Sequence, residues 1–248
     1  MDKKICFVIM GFGKKIDYEN NREVDLDIVY TKIIRKIFNE KFENFKLIRS
    51  DELTTSTIID VDMYDFLLRA DLVIADITTM NENAIYELGI RHASKPFSTI
   101  IMMQESEKIP FDLNHCRILT YKDFGEVLDY EEAEKIKTNL HSFIKASEEQ
   151  NIDSPLYTYL PNIVPPNISD RALGELLDTA KTKEETISNL VGKAEAIKNE
   201  SKFKESISEW KKLRDILPNN DYVVQQLALV QYKSKYPNET LALGEALN

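Results

Sequence analysis

One acidic side chain stands out for its setting. Glu87 lies in the run Ala75-Asp76-Ile77-Thr78-Thr79-Met80-Asn81-Glu82-Asn83-Ala84-Ile85-Tyr86-Glu87-Leu88-Gly89, where an apolar strand pattern gives way to a helical one. The helix predicted from Ala84 to about His92 places Glu87 near its start, where the positive end of the helix dipole favours a carboxylate. A carboxylate so placed can stabilise or trap a sugar oxocarbenium ion, as cleavage of an N-glycosidic bond demands. The spacing permits a plainer role as well: Asn83, Glu87 and Arg91 recur every four residues, so Glu87 can pair with Arg91 on the helix surface. A second candidate, Gly11-Phe12-Gly13-Lys14-Lys15, follows the first apolar run. Its glycines let backbone amides approach a phosphate or sugar, with two lysines alongside; the same residues also make a simple tight turn. Neither a P-loop nor the full dinucleotide fingerprint is present. His92, His115, His141, Cys6 and Cys116 offer no zinc spacing and no Cys-His pair, and no serine sits in a G-x-S-x-G turn. The site is therefore expected to work without a metal.

The elements that must position these groups alternate between strand and helix. Ile5 to Met10 is an unbroken apolar run, as in a strand covered on both faces. After a polar stretch to Asp27, the residues Leu26, Val29, Ile33, Ile37 and Phe38 mark one face of a helix. Phe45 to Arg49 reads as a second strand. Ile59, Met63, Phe66, Leu67 and Ala70 give a second helix, and Leu72 to Ala75 a third strand closed by Asp76. Asn81 or Asn83 can cap the helix that carries Glu87. Phe97 to Met103 and Arg117 to Tyr121 complete five strands, followed by a helix from Glu131 to about Ser147 with Ile136, Leu140, Phe143 and Ile144 inward. This pattern predicts an α/β fold, a five-stranded parallel sheet with helices on both faces in the flavodoxin-like order two-one-three-four-five. In such a sheet ligands bind beyond the carboxyl ends of the strands where the order reverses, here after strands one and three. Both candidate segments fall there.

The 248 residues suit two modest domains. An α/β domain over 1–150 is expected to pass through a proline-rich linker, 151–169, to a helical region over 170–248. Pro155, Pro161, Pro165 and Pro166 mark the linker. In the helical region Leu190, Ala194, Ile197, Ser206, Trp210, Leu213 and Pro218 follow tetratricopeptide spacing, and a weaker copy begins near Asp221 with Leu227, Ala228 and Tyr232. Such repeats need neighbours, so either the chain is a piece of a longer one or another surface covers that face. With 43% hydrophobic and 30% charged residues the chain can bury a core, which excludes wholesale disorder. A net charge of −10 disfavours generic nucleic-acid and anionic-lipid binding. No apolar run is long enough to span a membrane, the amino terminus does not resemble a signal peptide, and two distant cysteines fit a reducing cytoplasm.

The segments Phe7-Val8-Ile9-Met10-Gly11-Phe12-Gly13, Arg49-Ser50-Asp51-Glu52, Ala70-Asp71-Leu72-Val73-Ile74-Ala75-Asp76-Ile77-Thr78 and Asn81 to Ala93 resemble the TIR-like and nucleoside 2-deoxyribosyltransferase-like families. The Tyr86-Glu87-Leu88-Gly89 block is the most specific part. In both groups a glutamate in this helix is the catalytic carboxylate, so the resemblance implies that role for Glu87. TIR-like enzymes cleave or rearrange NAD; deoxyribosyltransferases move deoxyribose between bases. The resemblance implies a substrate-binding set of Gly11, Phe12, Gly13, Lys14, Asp51, Asp76, Asn81 and Asn83. Within it Gly11, Gly13 and Lys14 would meet phosphate, and Asp51, Asp76 and Asn81 ribose or base. Lys14 and Lys15 depart from the uncharged opening usual in deoxyribosyltransferases and favour a phosphate-bearing substrate. The expectation is an NAD or nucleotide N-glycosidase, with NAD as substrate and no cofactor. It would act as a homo-oligomer that recruits a protein partner through its helical region, similar to bacterial immune effectors. A non-catalytic nucleotide-sensing or scaffold module, similar to the TRAF-binding region of stress-activated kinases, is the alternative, and deoxyribosyl transfer a further one.

Overall fold

The computed structural model describes residues 3–17, 22–53, 61–123, 130–167 and 169–236. The chain divides into two compact units, one built on a sheet and the other made chiefly of the helices from Asp170 onward.

In the first unit, β1 (Lys4–Met10) leads into a hairpin of β2 (Lys14–Asp17) and β3 (Arg22–Asp25). The Asp25 side chain then accepts from the Asp27 backbone N–H and starts a helical stretch: α1 (Leu26–Val29), a π-helical turn over Tyr30–Ile34, and α2 (Arg35–Lys41). There follow β4 (Phe45–Arg49), α3 (Val61–Arg69), β5 (Leu72–Asp76), α4 (Glu82–Ser94), β6 (Thr99–Gln104), β7 (Ile118–Tyr121) and α5 (Tyr130–Ser147). The five parallel strands lie in the order β4-β1-β5-β6-β7. Counting sheet strands along the chain, this is two-one-three-four-five, the expected order.

Alternate residues of β1 feed opposite cores, as a period of two requires. Cys6, Val8 and Met10 pack with Leu26, Val29, Ile33, Ile37 and Phe38 and with Ile136, Leu140 and Ile144 of α5. Phe7 and Ile9 face the other way, toward Leu67, Ala70, Ala84 and Leu88 of the α3 and α4 side, and the Phe7 and Phe66 rings stack at 5.3 Å. The predicted helix residue Ile59 lies outside the described residues.

Two features depart from the sequence reading. The polar stretch after Gly13 is no open loop, because charge pairs knit β2 to β3: Lys14 to Glu23 at 2.7 Å and Arg22 to Asp17 at 2.9 Å. Nor is the expected linker 151–169 irregular throughout. Pro155 occupies the first turn of α6 (Pro155–Tyr159), where its missing N–H costs nothing. This part is fastened to the sheet unit: Ser154 Oγ donates to the His92 carbonyl at 2.8 Å, Tyr157 Oη to that of Ala93 at 2.5 Å, and Asp153 Oδ2 accepts from Thr99 N at 2.7 Å.

The second unit comprises α7 (Asp170–Asn199), α8 (Phe203–Ile216) and α9 (Asp221–Lys235). Its core is Ile187, Ala194, Trp210, Leu213, Val223, Leu227 and Val230. Of the predicted second copy, Leu227 is buried while Ala228 and Tyr232 are exposed. Among the described residues no helix is long and apolar enough to cross a membrane.

Candidate active site

The carboxyl ends of β1 and β5 run side by side, with Met10 paired to Asp76. Gly11 follows directly and is buried against the start of α4. A Cβ there would stand 2.6 Å from Leu26 Cδ1 and 3.6 Å from Asn81 Nδ2, so any larger residue would have to push the buried Leu26 side chain aside. Gly13 has φ +68° with open space around it, the left-handed turn position that glycine fills without strain. Phe12 is about half exposed, and the Lys15 ammonium lies 5.4 Å from its ring centre. Lys14, expected at phosphate, stands on β2 with its ammonium on Glu23.

Asp76 was expected to touch ribose or base, yet it is 1% exposed and fully occupied. Its Oδ1 accepts from Thr78 N at 2.9 Å, and its Oδ2 from Tyr121 Oη at 2.6 Å. Thr78 Oγ1 lies 2.9 Å from that Tyr121 oxygen and accepts from Gln104 N at 3.1 Å. Burial raises the Asp76 pKa, and the hydrogen bonds from Thr78 and Tyr121 oppose that rise. The role of Asp76 is to fix the turn after β5, in which Thr79 and Met80 hold φ of 64° and 48°. Asn81 then caps α4, its Oδ1 accepting from Ala84 N at 3.0 Å. Asn83 is exposed on the first turn.

With Asn81 as cap, Glu87 is the sixth residue of α4, past the first turn where the helix dipole acts. Contrary to the expectation, Glu87 thus gains little from the positive end of the α4 dipole. The surface pair with Arg91 does not form either. That guanidinium is wholly buried and donates to the carbonyls of Leu67 at 2.8 Å, Ala70 at 3.2 Å, Ser98 at 3.3 Å and Phe97 at 3.5 Å. Burial lowers its pKa to about 10, with Asp153 among the groups that hold it up. Glu87 is half-buried, with Oε2 shielded from solvent. On the preceding residue, Tyr86 Oη lies 3.3 Å from Tyr64 Oη of α3, which puts this part of α4 beside α3.

Asp51 stands just past β4, on the other side of β1 from β5. Its carboxylate grips Arg49, Oδ1 to Nε at 2.5 Å and Oδ2 to Nη2 at 2.6 Å, while Arg49 Nη1 reaches Asp27 Oδ1 at 2.6 Å. The guanidinium also lies 4.2 Å from the Tyr30 ring centre. Burial works against the Arg49 charge, but the hydrogen bonds to Asp51 and Asp27 prevail and raise its pKa. Sequence reasoning did not select Arg49, although a cation ending an apolar strand was a signal. It likewise passed over Arg22, which ties the hairpin to Gln104 at 2.6 Å, Ser106 at 2.7 Å, Glu107 at 3.1 Å and Asp123 at 2.5 Å.

The structure thus brings Gly11 against Asn81 and sets Asp51 just past β4 and Asp76 at the last position of β5, the two strands that flank β1. It does not offer Asp76 to a ligand. Among the described residues no group of three or more His, Cys, Asp and Glu side chains could hold a metal ion. No protein-family model matches the chain, and no curated protein matches it.

Proposed function

We propose that the sheet unit cleaves the base–ribose N-glycosidic bond of NAD or a related nucleotide, with Glu87 as the essential carboxylate. The observation that carries the reading is Glu87 itself. It is a half-buried acid with one oxygen shielded from water, on the helix that leaves the turn after β5, in a sheet whose strand order reverses at β1 and β5. As the C–N bond breaks, its electron pair leaves with the nicotinamide ring, which becomes neutral, and positive charge grows on the ribose. A carboxylate with little water around it stabilises that charge more than it would in bulk solvent, or traps it as an ester. Water then adds to the sugar carbon, displacing the carboxylate where an ester has formed, and releases its proton to bulk water. Gly11, Phe12, Gly13 and Asn81 would line the substrate, with Asp51 and Asn83 at its edges.

A specific feature favours a second reading, deoxyribosyl transfer between bases. Two cations at this end of the sheet already have counter-charges, Lys14 on Glu23 and Arg49 on Asp27 and Asp51, while Lys15 lies against the Phe12 ring. An uncharged nucleoside would leave those pairs undisturbed. The helical unit, with small Ala194 and large Trp210 in one core, fits a tetratricopeptide-like element for a protein partner or self-assembly in the cytoplasm, as in an immune effector.

Incubating the protein with NAD and, separately, with deoxynucleosides, followed by chromatography, distinguishes the readings. Nicotinamide release supports the first and base exchange the second; retention of ligand without product points to a sensing module. Glu87→Gln keeps the shape of the side chain and removes its charge, and is expected to cut turnover about a thousandfold. Unchanged turnover would remove the mechanism.

A further inference from the structure

Helix α9 is apolar on both sides. Val223, Leu227 and Val230 lie in the core of the helical unit, while Tyr222, Val224 and Leu229 are exposed. A helix with no charged face needs a second surface to cover it. Its neighbour differs: the exposed positions of α8 include Lys204, Glu205, Lys211, Lys212, Arg214 and Asp215, whereas from Tyr222 to Ser234 no exposed position of α9 is charged. Charge returns to the outer side only at the two ends of α9, with Asp221 at the start and Lys235 at the finish.

The order of residues on this outer face says what covers it. Positions three and four apart share a helix face. Val224, Ala228 and Tyr232 therefore line up, with Gln225 and Gln231 beside them and Asp221 and Lys235 at the ends, and all of these are exposed. The face is self-complementary about Ala228. When a second α9 lies antiparallel across the first, with a two-fold axis at Ala228, Val224 meets the partner's Tyr232, Gln225 meets the partner's Gln231 and Asp221 meets the partner's Lys235, each pair occurring twice. Two small alanines at the axis let the helices approach to the usual separation of about 8–10 Å. The amides can exchange hydrogen bonds, the tyrosine rings cover the valines, and unlike charges close both ends. A parallel pair would instead set Asp221 on Asp221 and Lys235 on Lys235, with the helix dipoles side by side in the same direction. An unrelated partner would not require the face to match itself.

We propose that this face is a homodimer interface, in which two copies of the chain pair through antiparallel α9 helices about an axis at Ala228. Such pairing is a specific form of the self-assembly offered above for the helical unit, and sedimentation reads it independently of turnover at Glu87. One pair of helices about 20 Å long buries a small area, so the dimer is expected to be weak, with Kd of roughly 1 to 100 μM.

The test is sedimentation velocity of the full chain from about 1 to 300 μM, across which the monomer is expected to give way to a dimer. Ala228→Arg, at an exposed position, suits a helix and sets two cations face to face at the axis. It should weaken the dimer by about tenfold or more, while far-UV circular dichroism and the urea midpoint stay near those of the parent. Asp221→Lys and Lys235→Asp should each weaken the homodimer about threefold or more, because each brings like charges together twice. An equimolar mixture of these two variants should dimerise more tightly than either alone, since every end pair in the mixed dimer is again of unlike charge. A chain that stays monomeric throughout would overturn the proposal and leave the face to residues 237–248 or to a different protein. A dimer indifferent to Ala228→Arg, or a mixture no tighter than its components, would overturn it too.

Discussion

Asp153 does two things at once: it caps the first N–H of β6 through Oδ2 and keeps a second oxygen out of water. Burial is the main reason that its pKa rises from 3.8 to about 7 in the folded protein. A carboxyl raised on folding means that the native state binds the extra proton between those two values, so this residue's contribution to stability is greatest below pH 4 and falls as pH rises toward 7. Asp153→Asn keeps an acceptor for Thr99 N and removes the charge. The stability of this variant relative to the parent should therefore grow from pH 5 to pH 8, as urea midpoints at the two values would reveal; an equal difference at both would refute the assignment. Other single residues were harder to place from sequence. Asp76 looked like a ligand group because it closes a strand at the expected crevice. Its burial depends on Tyr121, forty-five positions away, whose hydroxyl no local pattern connects to it. Glu87 was recognisable as a candidate, but its distance from the helix start depended on which asparagine caps α4.

Element by element, α4 shows how tertiary contacts fix what local signals only begin. Asn81 anchors its first turn, and Arg91, three turns on, reaches carbonyls at the end of α3 and just before β6. Replacing Arg91 with methionine would fill much of the space but leave those buried carbonyls without their donor. The expected cost is about 3 kcal/mol, measurable by denaturant unfolding, with Arg91→Lys recovering part of it. A loss below about 0.5 kcal/mol would show that water or neighbouring N–H groups replace the guanidinium. An arginine on an amphipathic helix reads as solvent-facing, which is why the sequence suggested a pair with Glu87. The strands were legible because Cys6 to Met10 and Leu72 to Ala75 are unbroken apolar runs buried on both faces. The β2–β3 hairpin was not, since its cross-strand pairs, Lys14 with Glu23 and Arg22 with Asp17, are charged rather than part of an apolar alternation. Helix α6 was missed because proline was taken only as a breaker, when at a first turn it is a starter.

At the scale of the whole molecule, each unit has a core of its own, and the division near Asp170 follows the change in sequence from alternating strand and helix to helix alone. The only tryptophan of the chain, Trp210, is wholly buried in the helical core, 5.8 Å from the Tyr222 ring. Its fluorescence therefore reports on that unit without interference from the sheet. Beside it, Ser206 Oγ donates to the Ala194 carbonyl at 2.9 Å and joins α8 to α7 where the small alanine lets the helices approach. Ser206→Ala removes this buried bond while the carbonyl remains within its own helix, so the loss should be about 1 kcal/mol. Trp210→Ala, which opens a large void, should cost about 3 to 5 kcal/mol. Urea unfolding followed by Trp210 fluorescence checks the first variant and far-UV circular dichroism the second. If Ser206→Ala left the fluorescence midpoint in place, the contact between α7 and α8 would rest on apolar packing alone, and Ser206 would be there only because it is small.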